Sequence, residues 1–144
     1  MKKIINVIFS VIFSVLIIST IIKFTVGFKQ LYYFDIEYLN IPVLSGLSKE
    51  DIKKNYDYMI DYNLDKDNKE FELPSIKSSE NGKIHFEEVR NIFQILNKIF
   101  KISLVLSIIG LVINILNKNI EFLKTTSKAL IVIPLILMLP IVVN

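Results

Sequence analysis

Residues 4–22, IINVIFSVIFSVLIISTII, form an apolar segment that contains no charged side chain. At about 1.5 Å of rise per residue, these nineteen residues would make a helix of about 28 Å, close to the roughly 30 Å hydrocarbon core of a bilayer. The alternative is a cleaved signal peptide, whose apolar part is usually about 7–15 residues long and ends in small residues. Here Lys23, Phe24 and Thr25 follow instead. The segment therefore predicts an uncleaved transmembrane helix.

The basic residues around this segment predict its orientation. Lys2 and Lys3 precede it without an acidic residue, and cytoplasmic flanks of membrane helices carry an excess of Lys and Arg. We therefore expect residues 1–3 to lie in the cytoplasm, and the polar segment after the helix to lie outside it.

The composition agrees with an integral membrane protein. The chain of 144 residues is 52% hydrophobic, which is more than a soluble domain of this size needs for its core. Its net charge is +3, yet residues 23–93 hold ten basic and thirteen acidic side chains, so the large polar segment is mildly acidic. This argues against nucleic acid as a partner, because phosphate binding needs a basic face. Cysteine is absent, which excludes disulfides and thiol chemistry.

A second membrane helix is predicted at residues 94–117. The uncharged run 102–117 has only sixteen residues, so the helix must take its outer turns from the residues before it. Lys98 and Lys101 then lie near the lipid headgroups, where their long stems can carry the ammonium groups to water. A role of these lysines towards a substrate is the less common alternative.

The C-terminal part predicts a partial third membrane helix at residues 129–144. It follows a basic loop, residues 118–128, which we expect in the cytoplasm. Pro134 and Pro140 interrupt it, and each removes an intrahelical hydrogen bond. The apolar segment is short for a span, which makes the third helix incomplete.

Residues 23–93 predict a small extracytoplasmic cap of mixed α/β structure. Residues 31–39 alternate between aromatic or apolar and polar side chains, as in a half-buried strand. Ser48 and Asp51 have the spacing of a capping box, which predicts a helix from there to about Tyr62. The fold class is thus an α-helical membrane protein, with two clear transmembrane helices, a partial third one, and a mixed cap between the first two.

The remainder of the cap predicts loops followed by one long helix. Residues 61–72 are mostly charged and read as a solvated loop, and Asn81 with Gly82 marks a tight turn. From Phe86 the helical period of apolar residues resumes and runs into the second membrane helix without a breaker. One helix is therefore expected to leave the cap and enter the membrane.

His85 is the single histidine and the one catalytic candidate that the sequence offers. No metal-ligand spacing, Gly-rich phosphate loop or serine nucleophile elbow occurs in the sequence. Imidazole exchanges protons near neutral pH, which suits general acid or base catalysis. Glu87 and Glu88 stand close enough to orient it, although acidic residues also simply favour the first turn of a helix. A capping or surface role is the common alternative for a lone histidine.

The polar segment is also rich in aromatic residues, for which two interpretations stay open. They can form a core with an interfacial belt, or they can line a pocket for a lipid substrate. The residues concerned are Tyr32, Tyr33, Phe34, Tyr38, Tyr56, Tyr58, Tyr62, Phe71 and Phe86.

Several blocks of this segment, in this order, resemble the lipoprotein intramolecular transacylases, the Lit family. Their arrangement of a cytoplasmic N-terminus, one span, a cap and further spans is also similar to the topology predicted above. The blocks are NYDYMIDY at residues 55–62, Leu73-Pro74, Ser78-Ser79, Asn81-Gly82 and HFEEVR at residues 85–90.

The resemblance implies a specific reaction at the cell membrane. Such enzymes move the sn-2 acyl chain of a diacylglyceryl-cysteine lipoprotein to the α-amino group of the same cysteine, which gives the lyso form. It implies His85 as the catalytic residue and an aromatic-walled site that binds the substrate, with no cofactor and no metal. The expected partners are the diacylglyceryl lipoprotein and membrane lipid. As substrate-binding residues we expect Tyr56, Tyr62, Phe86 and Arg90.

The chain departs from the family at its C-terminal end. Family members have four spans and a second functional histidine, neither of which is found here. We therefore expect a C-terminally truncated form that is inactive or incomplete by itself. The alternative is a non-catalytic membrane protein whose cap binds a lipid or protein partner.

Overall fold

The computed structural model describes residues 2–64 and 70–143, which fold into helices joined by short connections. The chain divides into two compact units. An apolar unit takes the chain up to Ile21 together with the chain from Asn97 onward, and an intervening unit spans Ile22–Leu96. The helices are α1 (Lys2–Gly27), α2 (Lys29–Tyr38), α3 (Ile41–Ser45), α4 (Lys49–Leu64), α5 (Glu80–Leu116) and α6 (Glu121–Val143).

The apolar unit has the burial pattern of a protein that is surrounded by lipid. Among the described residues, α1 and α5 are long and apolar enough to cross a membrane. Large side chains such as Ile8, Ile109 and Ile131 are exposed on these helices and on α6, whereas serine and asparagine are buried between them. This inversion is expected in a bilayer, where apolar side chains face lipid and small polar ones join helices.

Hydrogen bonds and aromatic rings connect α1 to α6 inside this unit. The Ser10 hydroxyl donates to the Phe122 carbonyl oxygen at 3.1 Å, and one turn further along α1 the Ser14 hydroxyl lies 3.4 Å from the Thr126 carbonyl oxygen. The Phe9 ring meets the Phe122 ring edge to face, with centroids 5.2 Å apart. Ser10 and Ser14, two of the polar residues that interrupt the first apolar segment, therefore face a neighbouring helix.

Between α5 and α6, the side-chain amide of Asn119 joins three helices of the apolar unit by hydrogen bonds. The Asn119 side chain donates to the Asn6 oxygen at 2.8 Å and to the Asn114 oxygen at 2.7 Å. Its own oxygen accepts from the Glu121 backbone N–H at 3.2 Å, which satisfies one of the free donors at the start of α6. Helix α6 thus begins at Glu121, within the segment expected as a loop at residues 118–128.

The intervening unit is built around the contact of α2 with α4. The Tyr32 ring stacks on the Tyr56 ring, with centroids 3.9 Å apart, and Ile36 is fully buried. The Tyr33 hydroxyl donates to Asp57 at 2.6 Å, a hydrogen bond that raises the pKa of Tyr33 to about 12. These contacts follow the helical spacing of i, i+1 and i+4 along α2.

The prediction of a mixed α/β cap is wrong. The described residues of the intervening unit form helices and irregular segments without a strand, and the strand expected at residues 31–39 is α2. The alternating pattern arose because α2 carries apolar side chains on two opposite sides, with Ile36 turned inward and Phe34 exposed. Over so short a run, periodicity alone does not separate a strand from a helix.

The predicted start of α4 is confirmed. The Asp51 backbone N–H donates to the Ser48 hydroxyl oxygen at 3.1 Å, and that hydroxyl donates to the Asp51 carboxylate at 2.7 Å. The helix runs on to Leu64, slightly beyond the expected end. Of the predicted charged loop, residues 65–69 lie outside the described residues.

The predicted turn at Asn81-Gly82 is wrong, because α5 has already begun at Glu80. Ser79 caps this helix, since its hydroxyl oxygen accepts from the Gly82 backbone N–H at 3.1 Å. The long uninterrupted helix is confirmed, because α5 continues to Leu116.

Candidate functional site

Phe71 is the centre of an aromatic cluster in the intervening unit. Its side chain is only 2% exposed. The ring stacks on the Phe86 ring at a centroid distance of 4.3 Å and meets the Tyr62 ring edge to face at 5.0 Å. Tyr58 completes the group, with its ring centroid 5.6 Å from that of Phe71. The cluster joins α4, the irregular segment after it, and α5.

The register of α5 decides which of its side chains enter this cluster. Phe86 and Arg90 are four residues apart and therefore lie on one side of the helix. The Arg90 side chain is buried, and its guanidinium lies 4.8 Å from the centre of the Tyr62 ring. His85 lies about 100° around the helix from Phe86 and is exposed. Its imidazole approaches the Phe86 ring edge to face at 5.6 Å, which places it at the rim of the cluster.

The structure brings most of the predicted site residues together and separates one from them. Tyr56 lies outside the aromatic cluster, because its ring stacks on Tyr32 of α2 instead. Burial raises the pKa of its hydroxyl. The residues that share the cluster and its rim are Tyr62, His85, Phe86 and Arg90.

Phe71 and Tyr58 are the members that we did not single out from the sequence. Both were counted among the aromatic residues, but neither stood out by spacing. Phe71 reaches Phe86 across fifteen positions of chain and Tyr62 across nine, and no helical or strand period relates such positions. The sequence signal that could have identified Phe71 is its position as one large aromatic residue in a run of charged ones.

The irregular segment that carries Phe71, residues 70–79, is held by side chains of α4. The Asn55 amide donates to the Ser75 hydroxyl at 2.6 Å, and the Asn55 oxygen accepts from the Ser75 backbone N–H at 3.1 Å. The Tyr58 hydroxyl donates to the Glu70 carbonyl oxygen and accepts from the Glu72 backbone N–H, both at 3.1 Å. The motif residues between 55 and 79 therefore position Phe71 beneath Phe86.

An ion-pair group fastens the same segment to the start of α5. The Lys83 ammonium lies 3.0 Å from Glu70, 2.8 Å from Glu72 and 4.0 Å from Glu80. The hydrogen bond with Glu72 raises the pKa of Lys83, and the same bond lowers the pKa of Glu72. Lys83 precedes His85 by two residues, so this group fixes the helical turn on which the histidine stands.

Two other features bear on what the site can do. Glu87 and Glu88, which the sequence placed close to His85, are both exposed. Among the described residues, no group of three or more His, Asp or Glu side chains could hold a metal ion. An exposed imidazole beside an apolar ring is chemically able to transfer protons at this rim.

The fold and the site define a helical integral membrane protein that carries a histidine beside a rigid aromatic cluster. Over residues 7–144 the sequence matches the family described as lipoprotein intramolecular transacylase Lit. The chain belongs to this family.

Solved structures of a family member from Bacillus cereus are similar to this chain. One, determined in meso and described as the membrane integral lipoprotein intramolecular transacylase Lit, shares 36% sequence identity with a TM-score of 0.81. Its variants with H85R and H85A mutations each have a TM-score of 0.86 at the same identity. The three comparisons cover all of this chain and 67%, 64% and 66% of the other chain, so it spans about two thirds of their length. No curated protein sequence matches the chain.

Proposed function

We propose that this membrane protein is an intramolecular lipoprotein transacylase. It moves the sn-2 acyl chain of a diacylglyceryl-cysteine lipoprotein to the α-amino group of that cysteine, and the product is the lyso form. The observation that carries this proposal is the exposed His85 at the rim of a buried aromatic cluster, in a chain that belongs to the Lit family.

In the proposed reaction His85 is the proton-transfer group. The α-amino group of a peptide has an ordinary pKa of about 8, so it must lose a proton before it can attack an ester. The amine nitrogen forms a bond to the ester carbonyl carbon, and the bond from that carbon to the glyceryl oxygen breaks. His85 accepts the proton from the amine and returns it to the glyceryl oxygen that leaves. No second substrate is consumed, because amine and ester belong to one molecule.

The other predicted residues are proposed to hold the substrate in a folded shape. Since both reacting groups are on one molecule, bringing them together supplies much of the rate. We place Phe86, which is half-buried, against the acyl chains, and Tyr62 with Arg90 behind it as the supporting wall. Tyr56 stays a prediction as a separate substrate contact on the side that faces α2.

The proposal also includes the orientation of the chain in the membrane. With residues 1–3 in the cytoplasm and residues 23–93 outside, His85 would stand where lipoproteins present their modified N-termini. The support is the placement of Lys2 and Lys3 before the first apolar segment. A membrane-impermeant maleimide should label a cysteine introduced at the exposed Lys54 in intact cells, and no labelling would contradict this orientation.

The reaction is tested by mass spectrometry of lipoprotein N-termini. Two proteins are expressed in a host whose lipoproteins are diacylated: this chain, and a fusion in which it replaces the matching two thirds of the Bacillus cereus enzyme. We expect an acyl shift with the fusion and its loss with His85→Ala. Glu88→Gln, an exposed change three residues away, is the matched control and should keep the shift. An unchanged shift in the His85→Ala fusion would refute the role of His85.

A non-catalytic binding protein is the second candidate, and one observation favours it. Within these 144 residues His85 is the single histidine, so it would have to carry out both proton transfers by itself. If neither protein shifts the acyl chain but the purified chain retains a diacylglyceryl peptide, binding without turnover is the function. If the chain shifts the acyl group by itself, this second candidate is refuted.

A further inference from the structure

Helix α2 carries apolar side chains on two opposite sides, and its own unit covers only one of them. On the inner side Ile36 is fully buried and Tyr32 stacks on α4. On the outer side Leu31, Phe34 and Tyr38 follow each other at i, i+3 and i+7, which places them in one row. They are 53%, 62% and 76% exposed. A soluble protein rarely leaves such a row of large side chains in water.

Exposed apolar residues also flank α2 on both sides in the chain. Before it, Phe28 is 44% exposed and stacks on Phe24 of α1, with centroids 5.7 Å apart. After it, Val43 and Leu44 on α3 are 74% and 80% exposed. We call the residues Phe28, Leu31, Phe34, Tyr38, Val43 and Leu44 the outer apolar patch. It is continuous along the chain from the end of α1 to α3.

The position of this patch in the chain identifies what covers it. The helix that is apolar and long enough to cross a membrane ends at Gly27, and α2 begins at Lys29. With only Phe28 between them, the first turn of α2 must stand at the depth where the span leaves the hydrocarbon. Phenylalanine and tyrosine rings concentrate at this depth in membrane proteins.

Three polar side chains of α2, those of Lys29, Tyr33 and Glu37, are paired with α4, Glu37 with Lys49. The Lys29 ammonium binds Asp61 of α4 at 2.7 Å, and Tyr33 binds Asp57 of the same helix. The polar contacts of α2 are thus made with α4, whereas the outer row is apolar.

We propose that the outer apolar patch is inserted into the headgroup region of the bilayer that α1 crosses. The occupant of this face is therefore lipid. In this arrangement α2 lies along the membrane surface as a second attachment of the intervening unit, and α4 forms the layer above it. The proposal concerns membrane contact and does not depend on the transacylase reaction.

The test measures the depth of single nitroxide labels in lipid nanodiscs. Cysteine is absent from the natural sequence, so each variant carries one label. Leu31→Cys, Phe34→Cys and Leu44→Cys report on the patch. Lys54→Cys on the exposed side of α4 is the control for water, and Ile109→Cys, an exposed position of α5, is the control for lipid. Circular dichroism of each labelled protein verifies that it is folded.

We expect the patch labels to collide often with oxygen, which dissolves in lipid, and several-fold less often with a water-soluble nickel chelate than the Lys54→Cys label does. Two results would overturn the proposal. If the patch labels meet the nickel chelate as often as the Lys54→Cys label, the patch faces water. If they are protected from both reagents, protein covers the patch, either as a second copy of the chain or as another polypeptide.

Discussion

At the scale of single residues, two buried serines of the apolar unit have the same exposure and different surroundings. Ser10 and Ser107 are both fully buried. The Ser10 hydroxyl donates to the Phe122 carbonyl oxygen of α6, whereas the Ser107 hydroxyl has no hydrogen-bond partner among the described residues. A polar group without a partner in an apolar environment costs free energy, so burial alone does not make a serine stabilising.

This difference predicts opposite outcomes for two identical substitutions. Ser10→Ala should lower the free energy of unfolding by about 0.6–1 kcal/mol, the usual worth of an interhelical hydrogen bond in a membrane. Ser107→Ala should be neutral or slightly stabilising, because it removes a hydroxyl that has no partner. Unfolding by sodium dodecyl sulfate in mixed micelles measures both. Equal losses in the two variants would contradict this account.

The Lys83–Glu72 pair predicts how the intervening unit responds to pH. The pKa of Glu72 lies below its ordinary value of 4.5, so its contribution is complete above that pH and is lost as the pH falls through the lowered pKa. The pKa of Lys83 lies above its ordinary value of 10.5, so its contribution is complete below that pH and is lost at more alkaline pH. The stability that this pair contributes should therefore not change with pH between 4.5 and 10.5.

The pair is tested by hydrogen exchange of residues 70–79 as a function of pH, corrected for intrinsic exchange rates. In the natural chain, protection should decrease on the acidic side of this plateau. In Lys83→Met the acid dependence should become shallower, because Glu72 has lost the partner that lowers its pKa. If the protection of residues 70–79 in Lys83→Met decreases at acidic pH as it does in the natural chain, the pair does not hold the segment.

At the scale of elements, side-chain hydrogen bonds to the backbone hold the irregular segment of residues 70–79 in place. Asn55 binds Ser75 through both halves of its amide, and the Ser78 hydroxyl accepts from the Leu73 backbone N–H at 3.1 Å. Because the segment carries Phe71, these bonds decide where the aromatic cluster meets α5.

Substitutions at the two ends of the amide pair should differ in cost. Asn55→Ala removes both hydrogen bonds and leaves the Ser75 backbone N–H without its partner, so we expect a loss of about 1–3 kcal/mol. Ser75→Ala removes one bond and keeps the one made by its backbone, so a smaller loss is expected. Chemical denaturation in micelles gives both values, and a cost for Ser75→Ala equal to that of Asn55→Ala would contradict the assignment.

At the scale of the whole molecule, each unit has its own interior, and small residues set how closely the membrane helices approach. A Cβ atom placed on Gly110 of α5 would lie 2.1 Å from the Phe9 ring of α1. Non-bonded carbon atoms do not approach this closely, so the ring occupies the space that glycine leaves free. Close approach at small residues is the usual way in which membrane helices pack.

Gly110→Ala should therefore destabilise the apolar unit by about 1–3 kcal/mol, the usual cost of overpacking a filled interior. Adding Phe9→Leu should recover part of this loss, because the shorter side chain vacates the space. Gly27→Ala is the matched control, since its Cβ would meet Leu64 at 3.8 Å, an ordinary contact. The same micelle unfolding assay compares the variants, and a fully additive double variant would argue against the contact.

Several properties of this protein follow from the sequence by itself. The nineteen uncharged residues of the first segment indicate a membrane helix, because a bilayer sets a minimum length and excludes charge. Ser48 and Asp51 predict the start of α4, because a cap involves only neighbouring residues. The order of the motif blocks led to the family, which the match over residues 7–144 confirms.

Other properties were decided only by the tertiary structure. Residues 31–38 belong to a helix whose Tyr32 stacks on Tyr56 of α4 and whose Ile36 is fully buried, an arrangement that no local pattern encodes. Phe71 joins the cluster through partners distant in sequence, and the two buried serines differ only in what lies opposite them. Capping and hydrophobic length depend on nearby residues and can be predicted from the sequence, whereas packing partners depend on how distant segments meet, which spacing along the chain does not determine.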